Sequence, residues 1–485
     1  MNDDVIASRE PLDTTNCDDE PIHVPGSVQP FGALVSFDKN GRILRASESF
    51  AALCGCPVNF LFGKNIQEFF PKVSFAEVFE KESFYAVVDL ASGEKVEVLK
   101  HCAGEEVYLD VVPYDDRHHS RSAEKRIHDF EKSLENIESI ESFAERLVQI
   151  VRHHCQIDRV KLYRFDENWD GEIIAESKLD EMPSYLALRF PKSDIPQQAR
   201  RLYQLNKVRV IANVDAPQSR IVDAQPMGAL DLSSSFVRSV SEIHLQYLRN
   251  MEVQASMSIS LFEGERFWGL LACHNRTALR FSLSDEAFYE GISQLASKKL
   301  TELNDALLDR HRQNDQKVIA EMLSSDRARS LDEKLLEGEL SVLDLIPANG
   351  AAIVRDGRMQ KRGIAPAETA LPAILHLLQQ SQAEVIAFDD LLERLGEDVA
   401  FFACGVLAIR LPERNNWLLW FRVEAIKEVA WAGDPYKPER ETKFGDRLYP
   451  RTSFELWKEK SRGRSKPWTA FEKLAAQYLA EAVKA

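Results

Sequence analysis

The sequence predicts an α+β protein of three domains, each an antiparallel sheet with helices, linked by a long helical spine. Three observations predict it. At 485 residues the chain is too long for one core, and about three domains is the expectation for that length. Short alternating segments joined by hairpin signals recur in its first, middle and last parts. From Ser284 to about Ser330 there is an almost unbroken helical pattern.

Residues 1–20 are acidic and without periodicity, which predicts a disordered segment. The first domain covers 21–117. After the turn-rich stretch from Pro21 to Gly32, strands are expected at Ala33–Phe37 and Arg42–Ala46, joined by Asp38-Lys39-Asn40-Gly41, and again at Glu106–Val112. A charged connector at 115–121 leads into the second domain, 118–310. It begins with helical stretches near 121–136 and 141–155 and a hairpin of Arg159–Phe165 with Gly171–Glu176. A second hairpin pairs Ala255–Phe262 with Arg266–His274 across Glu263-Gly264-Glu265, leaving a long insertion between the two hairpins.

The spine carries apolar residues at Phe288, Ile292, Leu295, Leu300, Leu303, Leu307, Val318 and Met322, in steps of mostly three or four. Such a helix either packs on its own domain or pairs with a second copy of itself. Its length of about 45 residues favours the pairing, a homodimer through the long helices. In the third domain, 311–485, Asp356-Gly357 turns a hairpin between Ala351–Arg355 and Arg358–Lys361. Strands follow at Gly405–Arg410 and Trp417–Glu424. Residues 425–466 are rich in charge, Gly and Pro, and a loop that long is usually functional or disordered. An amphipathic helix is expected from Trp468 to Ala485.

Composition excludes several functions. The net charge of −16 argues against nucleic acid, which demands a basic face, and against docking on an anionic membrane. No stretch approaches the run of about 20 apolar residues that a span requires, and residues 1–20 carry no signal-peptide pattern. Seven cysteines (Cys17, Cys54, Cys56, Cys102, Cys155, Cys273 and Cys404) are few, odd in number and irregularly spaced. Cys54-Gly55-Cys56 is one residue too tight for a metal knuckle, so no metal site is expected. Reduced thiols in a cytoplasmic protein are the expectation. No dinucleotide fingerprint, P-loop, kinase ATP lid or cyclase signature occurs, so the chain is not expected to be an enzyme.

The most informative segment is Phe190-Pro191-Lys192-Ser193-Asp194-Ile195-Pro196. Two prolines predict a stiff extended turn, in which Asp194 can aim a carboxylate and a carbonyl at a fixed point. Alternatively Asp194 caps a helix over Gln197–Leu205, and both roles can coexist. Downstream lie Tyr203, Arg209, Arg238, Ser241, His244 and Tyr247. Two arginines among hydroxyls in an acidic chain suggest a local anion site, because Arg grips carboxylates bidentately. Ser256 and Ser258 share one face of a strand, and His274 lies on its partner. Any one of these polar groups is as readily a satisfied core residue; the constellation points to a site.

These residues carry a family resemblance. PKSDIP resembles the P-x-S-D-I-P signature of phytochrome GAF domains, and RSVSEIHLQYLRNM resembles that family's R-x-x-S-x-x-H-x-x-Y-x-x-N-M block. IHVPGSVQPFGALV looks like the start of a phytochrome PAS domain. Trp420-Phe421-Arg422-Val423-Glu424 and Trp431-Ala432-Gly433-Asp434-Pro435 resemble the first arm of a PHY-domain tongue, and Pro450-Arg451-Thr452-Ser453-Phe454 its returning arm. Agreement of several motifs in the family's order, from about Cys17 to the end, is a strong signal. It implies PAS, GAF and PHY domains in that order, with the tongue at about 425–466.

The resemblance implies a red/far-red photoreceptor that holds biliverdin IXα through a thioether from Cys17 to the A-ring vinyl group. The cysteine of plant and cyanobacterial relatives precedes the histidine matching His244; here Ile243 stands there. Asp194 matches the residue whose carbonyl accepts bonds from the pyrrole N–H groups, with Ile195 and Pro196 beside it. His244 matches the histidine near the ring nitrogens, and His274 the partner of the D-ring carbonyl. Tyr163, Phe190, Tyr203 and Tyr247 match the walls around the D ring. Arg209, Arg238, Ser241, Ser256 and Ser258 match the propionate anchors. In the tongue, Trp420, Arg422, Glu424, Trp431, Pro450, Arg451, Ser453 and Phe454 match signalling positions. Arg451 is expected to pair with Asp194 in one state and Ser453 to replace it in the other.

Two departures stand out: Lys192 where Ala is usual, and Trp431-Ala432-Gly433 where Trp-Gly-Gly is common. Expected partners are biliverdin, a second copy of the chain, and an output domain outside this sequence, whether a kinase, a diguanylate cyclase or another. The competing reading is a non-photosensory GAF/PAS sensor of haem or another small molecule, which needs neither Cys17 nor a tongue.

Overall fold

The structure, a computed structural model, describes residues 20–104, 106–116, 123–324, 328–396, 403–412, 415–425, 427–435 and 454–484. Of the segment 1–20 expected to be disordered, residues 1–19, with Cys17, lie outside the described residues, as do the tongue residues Pro450, Arg451 and Ser453. The chain divides into two compact units, Met1–Leu303 with Ala430–Trp457, and Asn304–Val429 with Lys458–Ala485.

The first unit holds two sheets. One is seven-stranded, in the order Ser27–Val28, Ser219–Asp223, Ile43–Ser47, Ala33–Phe37, Glu106–Pro113, Lys95–Ala103, Tyr85–Asp89. Its hairpin turns at Asp38, whose carboxylate accepts the Asn40 N–H at 2.8 Å, while Gly41 takes the left-handed φ of +78° that the turn requires. Ser47 then ends the strand and caps helix Glu48–Leu53. Ser219–Asp223 comes from the long insertion predicted in the second domain, yet pairs antiparallel with Ile43–Ser47. Local pattern cannot choose a strand's partner, so the sequence does not foretell this pairing.

The other sheet runs Val208–Ile211, Ala255–Glu263, Arg266–Asn275, Arg159–Phe165, Gly171–Lys178, Arg189–Phe190, and then the strands Lys427–Ala432 and Leu456–Ser461. Helix Ile140–Cys155 packs on it, started by a Ser139/Ser142 capping box and ended by Gln156 in the left-handed region. Its buried Phe143, Leu147, Val148 and Val151 repeat at three and four residues, as the sequence pattern requires.

At Gly171 the sheet admits no side chain: an added Cβ would stand 1.6 Å from Cζ of Tyr163. Tyr163 is buried between Phe165 and Phe190, with ring centroids 5.2 and 6.0 Å away. Gly171→Ala is therefore expected to lower the stability of the apoprotein by about 1–3 kcal/mol through overpacking. Urea unfolding midpoints compared with Gly228→Ala, which meets nothing within 4 Å, check this.

In the second unit a five-stranded sheet runs Arg358–Gly363, Gly350–Arg355, Trp417–Arg422, Gly405–Arg410, Val385–Phe388. Asp356 and Gly357 both take positive φ, the type I′ geometry that Asp-Gly predicts. Three expectations are corrected. The spine helix spans Leu283–Ser324 and does not reach Ser330. Instead Ser330 caps a new helix, Leu331–Glu337, because Ser330 and Glu333 form a capping box. The last helix is Ala470–Ala482, entered through a Thr469/Glu472 capping box, so Trp468 precedes it. Trp420 and Arg422, read as tongue residues, lie in a strand flanked on both sides within the sheet. Trp420 donates its indole N–H to the Val342 carbonyl at 2.9 Å, and Arg422 pairs with Glu472 at 2.5 Å. Burial makes that stretch a core strand. Glu424 follows it and accepts the Gly463 N–H at 2.6 Å.

Candidate functional site

The site is built on the larger sheet of the first unit. Residues 192–194 form a single 3₁₀ turn after Pro191, and Pro196 precedes helix Gln197–Leu205. The turn is braced from both sides. The Asp170 carboxylate accepts the Lys192 N–H at 2.9 Å, and Arg200 donates to the Ile195 carbonyl at 2.5 Å. Asp194 is not the cap of helix Gln197–Leu205: the cap residue is Pro196, with no side-chain bond. The Asp194 carboxylate instead accepts the Tyr247 hydroxyl at 3.0 Å.

Tyr247 and His244 sit on helix Glu242–Asn250, three residues apart and so on one face, with rings stacked at 6.0 Å and 10°. Burial, reinforced by the Arg209 charge, pushes His244 down to about 4. Its imidazole is therefore neutral at pH 7.

Arg209 and Arg238 come together although 29 residues separate them. Arg209 Nη2 donates to the carbonyls of Arg238 and Ser239 at 2.7 and 2.8 Å. Arg238 Nη1 donates to the Ile22 carbonyl at 2.9 Å. Among the described residues neither guanidinium has an ion-pair partner, and Arg209 Nη1 and Arg238 Nε have no hydrogen-bond acceptor. Burial drives Arg209 well below the usual arginine range and Arg238 down to about 10. Buried cations with unused N–H groups are costly unless an anion completes the site.

Between these elements lies a cavity of about 200 Å³, partly open to solvent. Asp194, Ile195, Pro196, Tyr203, Arg209, Arg238, Ser241, His244 and Tyr247 all line it. Tyr163, Phe190, Ser256, Ser258 and His274 are not in its wall. They occupy the adjoining sheet, where Ser258 pairs with Arg209 and Ser256 with both Ile211 and His274. His274 is buried, and its Nδ1 has no partner among the described residues. Burial, then Lys161 and Arg159, holds it well below the usual histidine range.

Among the wall residues that sequence reasoning missed, some come from distant parts of the chain. Glu20 and Ile22 belong to the N-terminal segment, and Glu20 accepts the Ser241 hydroxyl at 2.8 Å. Pro435 arrives from the far end of the chain. No local signal could have placed them, because only tertiary pairing brings them here. Of the predicted tongue residues, Trp431 pairs in parallel with Arg189, whose guanidinium stands 5.5 Å from its ring. Phe454 meets the Tyr247 ring edge-on at 5.1 Å.

The cavity thus combines two buried, incompletely bonded arginines with a neutral histidine, chemistry suited to an anionic organic group. Three family models match in chain order: the PAS fold over 17–131, the GAF domain over 139–300 and the phytochrome region over 312–485. The bacteriophytochrome of Pseudomonas aeruginosa is 33% identical over 98% of this chain and 67% of its own length. That of Xanthomonas campestris is 30% identical over 97% and 78%. The photosensory core module of the Stigmatella aurantiaca phytochrome aligns with TM-score 0.86 and 34% identity, over 98% of this chain and 99% of that one. A bacteriophytochrome from the photosynthetic bacterium R. palustris aligns with TM-score 0.87 and 30% identity, over 97% and 98%. The chain belongs to the phytochrome family and is a PAS-GAF-PHY photosensory module. It spans about two thirds of the length of the Pseudomonas relative. No helix among the described residues is long and apolar enough to cross a membrane.

Proposed function

We propose that this chain binds biliverdin covalently through Cys17 and acts as a cytoplasmic red/far-red photoreceptor. One observation carries the reading. Two buried guanidiniums with unused N–H groups share a cavity wall with Glu20, three residues after Cys17. Three residues of chain reach at most about 10 Å, so a sulfur so close in sequence is in range of the cavity.

Bound biliverdin would supply visible absorption and a C/D-ring double bond that light can rotate. The protein's part is to hold and tune it. Arg209, Arg238, Ser241, Ser256 and Ser258 would take the two propionates, completing the unused arginine donors. Tyr163, Phe190, Ile195, Pro196, Tyr203 and Tyr247 would pack the conjugated plane. The Asp194 carbonyl would accept pyrrole N–H bonds, and His244, neutral at pH 7, would stand near the ring nitrogens without adding a charge there. His274 would bond the D-ring carbonyl through its unused nitrogen.

Signalling would leave through the Asp194 turn. Phe454, the neighbour of Ser453, packs on Tyr247, whose hydroxyl holds Asp194. That contact supports an exchange of Arg451 and Ser453 at Asp194 as the tongue refolds. A segment balanced between two folds needs only a few kcal/mol of changed contact to switch. The spine helix would pass the change across a homodimer to a C-terminal output domain, a kinase, a cyclase or another.

Spectra recorded after co-production with a biliverdin source test the proposal. A red-absorbing holoprotein whose band changes under red light and returns is the expected result. A protein that stays colourless sinks the reading.

A further inference from the structure

Lys161 lies in the middle of strand Arg159–Phe165, where it is only 3% exposed. A lysine so buried ordinarily has a carboxylate partner. Among the described residues Lys161 has no hydrogen bond or ion pair; its amine stands over the rings of Tyr185 and Phe190, 5.0 and 5.5 Å from their centroids. Glu176, directly opposite it across the strand pair, is engaged by other groups. It pairs with Arg159 at 3.2 Å and accepts from the Ser184 hydroxyl and the Tyr185 N–H.

The strand register shows which way Lys161 faces. Ala272 pairs with both Lys161 and Ser258, and His274 with both Arg159 and Ser256. Paired positions share a face of the sheet. Lys161 is therefore on the face that carries Ser258, Ser256 and His274, one diagonal step from His274.

We propose that Lys161 is a second hydrogen-bonding partner, beside His274, for the terminal-ring carbonyl of the bilin, and that proton exchange at its amine makes the pigment's colour depend on pH. The proposal rests on the bilin reading above. The groups facing the amine are Arg159 on its own strand, Glu176 on Gly171–Lys178, His274 on Arg266–Asn275, Asp194 on its turn, and Tyr185, while Cys273 acts on it from the other face of the sheet. Burial and then the Arg159 charge push Lys161 down to about 7, against the weaker pull of Glu176, Cys273 and Asp194. The amine thus exchanges its proton with solvent near neutrality. A unit charge appearing beside one end of a conjugated system shifts its absorption, the more so where the charge is buried.

Two measurements decide it. In the apoprotein, ¹⁵N-lysine side-chain spectra followed across neutrality should show one amine titrating near pH 7, absent from Lys161→Met. Because the folded value lies below the ordinary lysine range, the buried charge is destabilising at and below neutral pH and relieved as pH rises. Lys161→Met should accordingly unfold at higher urea than the wild type at pH 6, with the gain shrinking at pH 9. In the holoprotein the wild-type band should shift with a midpoint near neutrality. Lys161→Met should show no such midpoint, and Lys161→Arg should keep the low-pH spectrum throughout. A wild type that takes up no bilin overturns the function above, whatever the lysine does. A lysine that stays charged through neutrality in the apoprotein overturns the proton exchange. A titrating lysine with the same pH-dependent spectra in Lys161→Met overturns its contact with the pigment.

Discussion

Cys17→Ser is expected to abolish covalent retention of the pigment completely. A serine hydroxyl is far from ionised at neutral pH and does not add to a vinyl group, whereas a thiolate does. The noncovalent part of the site stays intact, because the arginines, Tyr203, His244 and Tyr247 lie on other elements. The variant should therefore still take colour from added biliverdin, and lose all of it on a denaturing gel. Bilin fluorescence with zinc retained on that gel would move the attachment site elsewhere. The six described cysteines are poor substitutes. Burial raises the thiols of Cys54 and Cys155 to about 12, and none of the six lines the cavity.

Arg238→Met should weaken noncovalent biliverdin binding by roughly 10- to 100-fold, the worth of one charge-assisted bond of about 1.5–3 kcal/mol to a propionate. Fluorescence titration in the Cys17→Ser background measures it without the covalent step. The same change should slow attachment in the native background, because Arg238 also ties the Ile22 carbonyl and so holds the N-terminal segment at the cavity. Stability of the apoprotein should move by less than about 1 kcal/mol: one backbone bond is lost, but a cation with no ion-pair partner among the described residues is no longer buried. A large loss of stability with unchanged affinity would make Arg238 a scaffold residue rather than an anchor.

Much of the site is legible in the order of the amino acids. A turn at Asp194 follows from its flanking prolines, although it stands as one 3₁₀ turn and not as the extended one they suggest. His244 and Tyr247 share a helix face because they are three residues apart. Ser256 and Ser258 share a strand face by alternation. The misreadings have physical causes as well. An Asp before Ile-Pro looks like a helix cap, but a tyrosine hydroxyl from a helix over 50 residues away takes its carboxylate. The Trp-Phe-Arg run resembles a loop arm, yet its apolar side chains fill the sheet core of the second unit.

The sequence by itself determined the elements: where strands turn, where capping boxes start helices, and which residues share a face. Those depend on neighbours within a few positions, and local geometry decides them. Only the tertiary structure decided that Ser219–Asp223 joins the first sheet, that Glu20 stands in the cavity wall, and that Arg209, Arg238 and Lys161 are buried with no ion-pair partner among the described residues. Desolvation and the pairing of charges are set by groups far apart in the chain, so they exist only once those groups have been packed together.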